Sequence, residues 1–212
     1  MANPIIYGTE FSTYVRTVRM AFEEKPAPYD LVDVSVINGA HKQPAHLARH
    51  PFGTVPAFAH DGFEVYETGA IIRYVDQVAS GAKLTPDDPK RRARMNQVIS
   101  IVDYHGYPSL IGQIVIQRLF TQIIGGQTDE TVVKAGLPKA ELCLKEWNRL
   151  LGSNKFLAGA EISLADLYLF PVMFYFLQTP EKKLMAPFKG LAAWYEMMNA
   201  RASAKKTAPN FG

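Results

Sequence analysis

Residues 57–66 have the sequence Ala-Phe-Ala-His-Asp-Gly-Phe-Glu-Val-Tyr, and this stretch is the clearest indicator of fold in the chain. Two short apolar segments flank Asp61-Gly62, and an Asp-Gly pair between two such segments is a strong signal for a tight β-hairpin. In the next segment, Ile71, Val75 and Val78 recur at helical spacing. We therefore expect two antiparallel strands that lead into a helix.

The chain before this hairpin predicts a βαβ unit. Residues 4–7 form an apolar segment that ends at Gly8, and residues 29–34 form a second one. The apolar residues between them are spaced as one face of a helix: Phe11, Val15, Val18 and Phe22. Two strands joined through a helix are parallel. With a short helix at residues 43–50, the N-terminal half has the predicted order βαβ-α-ββα.

The C-terminal half predicts a different architecture. Residues 80–89 are dense in turn-forming residues and are the best linker in the chain. Beyond them only helical periodicity is found, and Gly106 and Pro108 interrupt the first long helix, where we expect a kink. We therefore predict an α/β domain at residues 1–79 and an all-helical domain at residues 90–212.

The composition restricts the classes of function. The chain has 212 residues with a formal net charge of +3, and Cys143 is its only cysteine. One cysteine excludes an intrachain disulfide, a Cys-x-x-Cys redox pair and a cysteine-rich zinc site. No apolar run approaches the ~20 residues that span a bilayer, and residues 1–4 do not begin a signal peptide. We expect a cytoplasmic protein with no membrane partner and, since the basic residues 90–94 lack interleaved aromatics, no nucleic-acid partner.

Five segments resemble one family of proteins. Residues 38–44 (Asn-Gly-Ala-His-Lys-Gln-Pro), 50–56 (His-Pro-Phe-Gly-Thr-Val-Pro) and 66–71 (Tyr-Glu-Thr-Gly-Ala-Ile) resemble the glutathione-binding half of cytosolic glutathione transferases. Residues 156–159 (Phe-Leu-Ala-Gly) and 163–167 (Ser-Leu-Ala-Asp-Leu) are similar to the region around a capped helix in that family's second half. The serine-type phi class is the closest pattern, and the theta class is second. The resemblance implies a thioredoxin-like N-terminal domain and a helical C-terminal domain.

The resemblance also implies which residues bind glutathione in the middle of its length. The family has a cis proline where Pro56 stands, and the backbone of Val55 would pair with the tripeptide as an added strand. An ordinary trans proline in a turn is the alternative. Thr54 stands where a glutamine is common, so one side-chain contact with glutathione would be weaker here.

The two ends of glutathione are acidic and need anion-binding groups. By the resemblance, His41 and Lys42 hold the glycyl carboxylate through charge-assisted hydrogen bonds. Thr68 holds the γ-glutamyl carboxylate at the start of a helix, and Glu67 holds the ammonium. Two solvated surface residues and a simple helix cap are the alternative interpretations of these pairs.

The activating residue is expected at the start of the first helix. An ordinary thiol has a pKa near ~8.5, and a hydroxyl donor at a helix N-terminus favours its thiolate. Ser12 matches the family's catalytic serine. Tyr7, at a strand end, and Thr13, if the helix starts one residue later, remain rivals, and Ser12 as a plain helix cap is a further alternative. The absence of a cysteine from this loop argues against the disulfide-exchanging omega and beta types.

The second substrate would be an apolar electrophile. The resemblance implies a pocket with contributions from four residues, although core packing explains each of them equally well: Phe11, Tyr104, Tyr107 and Ile111. Phe52 matches the aromatic key that inserts into the partner subunit, so we expect a homodimer.

The expected activity is a glutathione transferase reaction that conjugates glutathione to electrophiles, a form of detoxification, without metal or nucleotide. Glutathione-dependent peroxide reduction, ether cleavage and isomerisation are alternatives at the same site. A non-catalytic protein of this fold that only binds ligands is a further alternative.

Overall fold

The computed structural model of the chain describes residues 3–210 and divides it into two units. One unit runs to Leu84 and also includes the C-terminal segment from Ala200; the other is Thr85–Asn199. The first unit contains all four strands, and the second is helical. The predicted fold class, an α/β half followed by a helical half, is therefore confirmed.

The sheet of the first unit has the strand order β2-β1-β3-β4. Its strands are β1 (Ile5–Tyr7), β2 (Asp30–Val32), β3 (Ala57–His60) and β4 (Phe63–Tyr66). β1 and β2 are parallel, whereas β3 runs antiparallel to both β1 and β4. The hairpin turn between β3 and β4 has positive φ at Asp61 (48°) and Gly62 (80°), as a two-residue turn of this handedness requires.

Three helices of this unit follow the predicted order: α1 (Thr13–Glu24), α2 (Pro44–Leu47) and α3 (Thr68–Val78). A short 3-10 turn, Ala40–Lys42, precedes α2. α1 packs against α3, and the apolar residues that the sequence indicated on the two helices, among them Val15, Val18 and Ile71, are fully buried. These apolar residues form part of the core of the first unit.

The second unit consists of helices and turns: α4 (Pro89–Ile101), a π-helical segment (Val102–Phe120), α5 (Thr121–Ile123), α6 (Glu130–Leu151), α7 (Leu164–Phe176), a 3-10 segment (Pro180–Met185) and α8 (Lys189–Asn199). The start of α7 is held by Asp166, which accepts hydrogen bonds from the Ser163 hydroxyl and the Trp194 indole, both at 2.9 Å. Burial raises the pKa of this carboxyl. Within residues 3–210, no helix combines the length and apolarity needed to cross a bilayer.

Gly106 and Pro108, where the sequence indicated an interruption of the helix, both lie within helical structure. The chain stays helical through both residues, in the wider turns of a π-helix. Gly106 has a packing role instead, because a Cβ there would lie 2.6 Å from the ring of Trp147 on α6. The glycine that we interpreted as a helix interruption therefore allows a close contact between helices.

The C-terminal segment corrects the predicted domain assignment. Its helix α9 (Ala202–Lys206) packs against α1, where the buried Arg16 donates to the Ala204 carbonyl at 2.9 Å. Arg201 donates to Glu24 at 2.6 Å and 2.7 Å. The helical unit therefore ends at Asn199. The segment from Ala200, which the sequence assigned to the helical domain at residues 90–212, belongs to the first unit. Hydrogen bonds join it to α1 in both directions, because Arg16 donates to the segment and Arg201 donates to Glu24.

Candidate active site

The start of α1 lies next to the segment that precedes β3. Tyr7 is paired with Ala57 across β1 and β3, so the residues after Tyr7 run beside the residues before Ala57. A Cβ on Gly8 would lie 3.3 Å from the Cβ of Val55 and 2.4 Å from Cγ2 of Val15. Only a glycine permits this close approach, which brings the loop leading to Ser12 against Val55.

Ser12 is the N-cap of α1. Its Oγ accepts a hydrogen bond from the Val15 N–H at 3.3 Å, and its carbonyl accepts the Arg16 N–H at 2.9 Å. The side chain is half-buried, and within residues 3–210 its hydroxyl hydrogen has no acceptor. Ser12 therefore retains a hydrogen that it can donate at the positive end of a twelve-residue helix.

The two rivals of Ser12 have different surroundings. The ring of Tyr7 lies under the guanidinium of Arg49, whose central carbon is 4.4 Å from the ring centroid. Thr13 is the first residue of α1 and is only 5% exposed, and its Oγ1 is buried without a hydrogen-bond partner in the described chain. The half-buried Ser12 is thus more accessible to a ligand than Thr13.

The Val55-Pro56 peptide bond is cis, as the family resemblance implied. Both residues are buried, and within residues 3–210 neither the N–H nor the C=O of Val55 forms a hydrogen bond. Backbone groups of this kind are normally paired when they are buried. Val55 therefore presents one free donor and one free acceptor to an extended peptide.

The N-terminus of α3 offers anion-binding groups. Glu67 is its N-cap, is exposed and has a φ of 73°, a conformation that costs about 1–3 kcal/mol outside glycine. Its carbonyl accepts the N–H groups of Ala70 and Ile71 at 2.9 Å and 3.0 Å. Thr68, which follows the strained Glu67, is the first residue of α3. The backbone N–H groups in the first turn of a helix have no partner within the helix and point outward.

His41 and Lys42 lie on the 3-10 turn before α2. Lys42 is exposed and donates from Nζ to the Phe52 carbonyl at 3.2 Å, and its Cδ would be 2.9 Å from a Cβ on Gly53. His41 is half-buried, and its Nδ1 has no partner within the described residues. The Lys42 ammonium is therefore anchored along the loop, and one buried imidazole nitrogen of His41 has no partner among the described residues.

Two buried histidines in this region were not assigned a role from the sequence. His46 Nε2 lies 2.7 Å from the Thr54 carbonyl oxygen, and His50 Nε2 lies 2.9 Å from Thr54 Oγ1. Burial lowers the pKa of His50; the Glu67 carboxylate opposes this effect, and the Lys42 ammonium adds to it. The sequence signal that could have identified this pair is the spacing of four residues between the two histidines, which places both rings on one side of a helical turn.

The remaining predicted residues lie elsewhere in the two units. Phe52 is 68% exposed, with its ring 6.2 Å from that of Tyr66. The candidate pocket residues differ in exposure: Phe11 and Tyr107 are half-buried, Tyr104 is 76% exposed, and Ile111 is buried. Burial of Ile111 fits core packing, which the sequence allowed as its alternative role.

Neither a metal nor a protein thiol is indicated by these side chains. Residues 3–210 contain no group of three or more His, Cys, Asp or Glu side chains arranged to hold a metal ion. Cys143 lies inside the helical unit, where burial raises its pKa to about 11. The chemistry that these residues can perform is therefore the binding of an extended, doubly acidic peptide beside a hydroxyl donor.

Comparison with known proteins agrees with this chemistry. Residues 6–83 match the model of the glutathione S-transferase N-terminal domain, and residues 99–202 match that of the C-terminal domain. A probable glutathione S-transferase, GSTF1 of Oryza sativa subsp. japonica, is 34% identical over 206 residues, which cover 96% of this chain and 94% of the rice protein.

Solved structures give the same result. The crystal structure of glutathione transferase F7 from Populus trichocarpa is 28% identical, with a TM-score of 0.87 and coverage of 96% of this chain and 97% of the poplar chain. Glutathione S-transferase I from maize, in complex with an atrazine glutathione conjugate, is 29% identical, with a TM-score of 0.85 and coverage of 97% and 96%.

Proposed function

The chain belongs to the glutathione S-transferase family, with phi-like relatives, and from this premise we propose that it conjugates glutathione to apolar electrophiles. The observation that carries the proposal is the unpaired backbone of Val55 beside the start of α1. The similarity to the maize enzyme in complex with a glutathione conjugate supports it. The reaction, as proposed, needs neither metal nor nucleotide.

Glutathione would lie extended along Val55, with its cysteinyl N–H and C=O paired to the free backbone groups. Its glycyl carboxylate would bind His41 and Lys42, and its γ-glutamyl carboxylate would bind the N-terminus of α3 at Thr68. Glu67 would receive the ammonium, and its strained backbone supports a functional role. This arrangement fixes the tripeptide at both ends before any chemistry occurs.

Ser12 would stabilise the glutathione thiolate. The bound thiol loses its proton to solvent, and the Ser12 hydroxyl donates to the sulfur at the positive end of α1. The thiolate then attacks an electrophilic carbon, so that a carbon–sulfur bond forms and the leaving group departs with its bonding electrons. The protein contributes orientation and a tuned thiol pKa.

The finer expectations are part of the same proposal. Phe11, Tyr104, Tyr107 and Ile111 would contribute to binding of the electrophile. Phe52 would insert into a second copy of the chain, and its high exposure supports an interface role. We propose a cytoplasmic homodimer that acts in detoxification. Sedimentation of Phe52→Ala at micromolar concentration tests the dimer, since an unchanged sedimentation coefficient would contradict that interface.

The test of the thiolate assignment compares Ser12→Gly, Thr13→Ala and Tyr7→Phe in the conjugation of 1-chloro-2,4-dinitrobenzene. Glycine is chosen at Ser12 because it keeps most of the N-cap stability and removes the hydroxyl. We expect Ser12→Gly to lower kcat about 100-fold and to reduce the ultraviolet absorbance of the bound thiolate at neutral pH.

The matched control is Ser100→Ala, on the exposed surface of α4, which should leave kcat unchanged. If Tyr7→Phe or Thr13→Ala alone abolishes the reaction while Ser12→Gly retains it, Ser12 is not the donor. If the wild-type protein binds no glutathione by calorimetry at millimolar concentration, the proposed function itself fails.

A further inference from the structure

Two buried imidazoles hold one exposed threonine from both sides. His46 and His50 are 4% and 2% exposed, and they bind the carbonyl oxygen and the hydroxyl of Thr54, respectively. Within residues 3–210, Thr54 forms no other hydrogen bond. These three residues, the histidine clamp, therefore fix the position of Thr54, which directly precedes Val55.

The hydrogen-bond directions in the histidine clamp follow from its acceptors. A carbonyl oxygen only accepts, so His46 Nε2 carries the hydrogen and donates to Thr54. The Nδ1 atoms of His46 and His50 are both buried without a partner in the described chain. An unpaired lone pair is less costly there than an orphaned N–H, so we assign the Nε2–H tautomer to both rings.

This assignment has a consequence for Thr54. If His50 donates to Thr54 Oγ1, the hydrogen of that hydroxyl is left free to bond a ligand. Burial favours the neutral form of His50, which the assignment requires, and the titratable groups that face it are Glu67, His46 and Lys42. Tyr66 completes the surroundings with a ring 4.7 Å from that of His50.

The rest of the loop is held separately. Lys42 donates to the Phe52 carbonyl, and the Gly53 N–H donates to the His50 carbonyl at 2.8 Å. These contacts end at Gly53, one residue short of Thr54. Thr54, the last residue before Val55, is therefore held only by the two hydrogen bonds of the histidine clamp within the described residues.

We propose that His46 and His50 are positioning residues for glutathione, which act by clamping Thr54 and so hold the Val55 backbone in its receiving geometry. The proposal rests on the proposed glutathione reaction. Because the clamp orders the binding edge and does not contact the sulfur, its loss should weaken glutathione binding while the chemical step at saturating glutathione is preserved.

The experiment measures KM for glutathione and kcat with 1-chloro-2,4-dinitrobenzene in the full chain. We expect His50→Leu and His46→Leu to raise KM about five- to tenfold, the effect of one net hydrogen bond, with kcat within about twofold. His50→Gln and His46→Gln keep an amide donor near the Nε2 position and should restore KM to within about twofold of wild type.

The matched control is His60→Leu, since His60 is a half-buried histidine of the same unit that bonds Tyr74 and lies outside the clamp. Its KM should be unchanged. The proposal would be overturned if KM rose equally in His60→Leu. It would also be overturned if circular dichroism showed that His46→Leu and His50→Leu are folded and neither had a raised KM. If the wild-type protein does not bind glutathione, the proposed function fails together with the clamp. If the wild-type protein binds glutathione and only the clamp variants behave differently from the expectation, the clamp proposal alone fails.

A second set of variants tests the same hydrogen bond if the leucine variants do not fold. Thr54→Val removes the hydroxyl at an exposed position, and Thr54→Ser keeps it. We expect KM to rise in Thr54→Val and not in Thr54→Ser. The KM of the double variant His50→Leu/Thr54→Val should not exceed the larger KM of the two single variants, because both changes remove the same hydrogen bond. Equal KM values for the valine and serine variants would refute the clamp.

Discussion

Arg16 donates from Nη2 to the carbonyl oxygen of Ala204 across 188 residues of sequence, at a distance of 2.9 Å. Its Nε also donates to Thr207 Oγ1 at 3.4 Å. Since the Arg16 N–H bonds the Ser12 carbonyl, the C-terminal segment is attached to the first turn of α1. The candidate catalytic serine is therefore supported by the far end of the chain.

Replacing Arg16 should destabilise the protein strongly. Arg16→Ala removes a buried cation whose donors satisfy the acceptors of the C-terminal segment, and we expect the free energy of unfolding to fall by about 2–4 kcal/mol. Urea denaturation followed by circular dichroism measures it. Lys206→Ala, which removes an exposed ion pair with Glu23, is the control and should cost less than about 1 kcal/mol. Equal losses in both variants would contradict the prediction.

The buried ion pair of Lys25 and Asp76 should be costly to break on one side. Lys25 Nζ lies 3.1 Å from Asp76, both side chains are almost fully buried, and Asp76 also accepts the Leu84 N–H. We expect Asp76→Ala to lower the free energy of unfolding by about 3–5 kcal/mol, because the buried Lys25 ammonium loses its counter-charge and keeps only the hydrogen bond to the Ala82 carbonyl oxygen.

The double variant Lys25→Met/Asp76→Ala tests the cause. It removes the uncompensated charge, so its stability should exceed that of Asp76→Ala in the same denaturation experiment. A double variant less stable than the single one would show that the loss arises from packing and not from the unpaired ammonium.

Gly8 should tolerate no side chain. An alanine Cβ would lie 2.4 Å from Val15 and 3.3 Å from Val55, so Gly8→Ala should cost about 1–3 kcal/mol and also raise the KM for glutathione by displacing Val55. Gly112→Ala is the matched control, because a Cβ there would lie 3.7 Å from the Tyr107 carbonyl oxygen, an ordinary contact. Thermal melting and steady-state kinetics distinguish the two variants.

The stability of the protein should depend on pH through His50. Burial lowers the pKa of His50 in the folded state, so the unfolded chain binds the proton first as pH falls. The free energy of unfolding should therefore decrease as pH falls through the unfolded value near 6.5, by at most about 1.4 kcal/mol per pH unit for this one group. His50→Gln removes the group, and the difference in pH slope between the two proteins measures the effect. Equal slopes would contradict the prediction.

Local signals made much of the first unit predictable from the sequence. The Asp61-Gly62 pair specified the hairpin because both residues adopt the positive φ that its turn needs. The apolar spacing of α1 predicted its buried face because burial follows the helical period. The cis peptide before Pro56 was expected from the resemblance, since few X-Pro bonds are cis and no local rule identifies them.

The features that sequence reasoning missed depend on distant contacts. The attachment of the C-terminal segment to Arg16 spans almost the whole chain, so no local pattern could indicate it. No local pattern indicated the π-helical path through Pro108 or the close approach of Gly106 to Trp147 on another helix. His46 and His50 had the spacing of one helical face, but their shared target, Thr54, became evident only from the loop geometry.

The burial of Cys143 determines how the protein responds to oxidation. With a pKa of about 11, roughly one thiol in ten thousand is ionised at pH 7. Exchange with a disulfide begins with attack by a thiolate, so oxidised glutathione should form a mixed disulfide with this side chain only very slowly. A protein that handles a thiol substrate should thereby be protected at Cys143 from covalent capture by the oxidised form of that substrate.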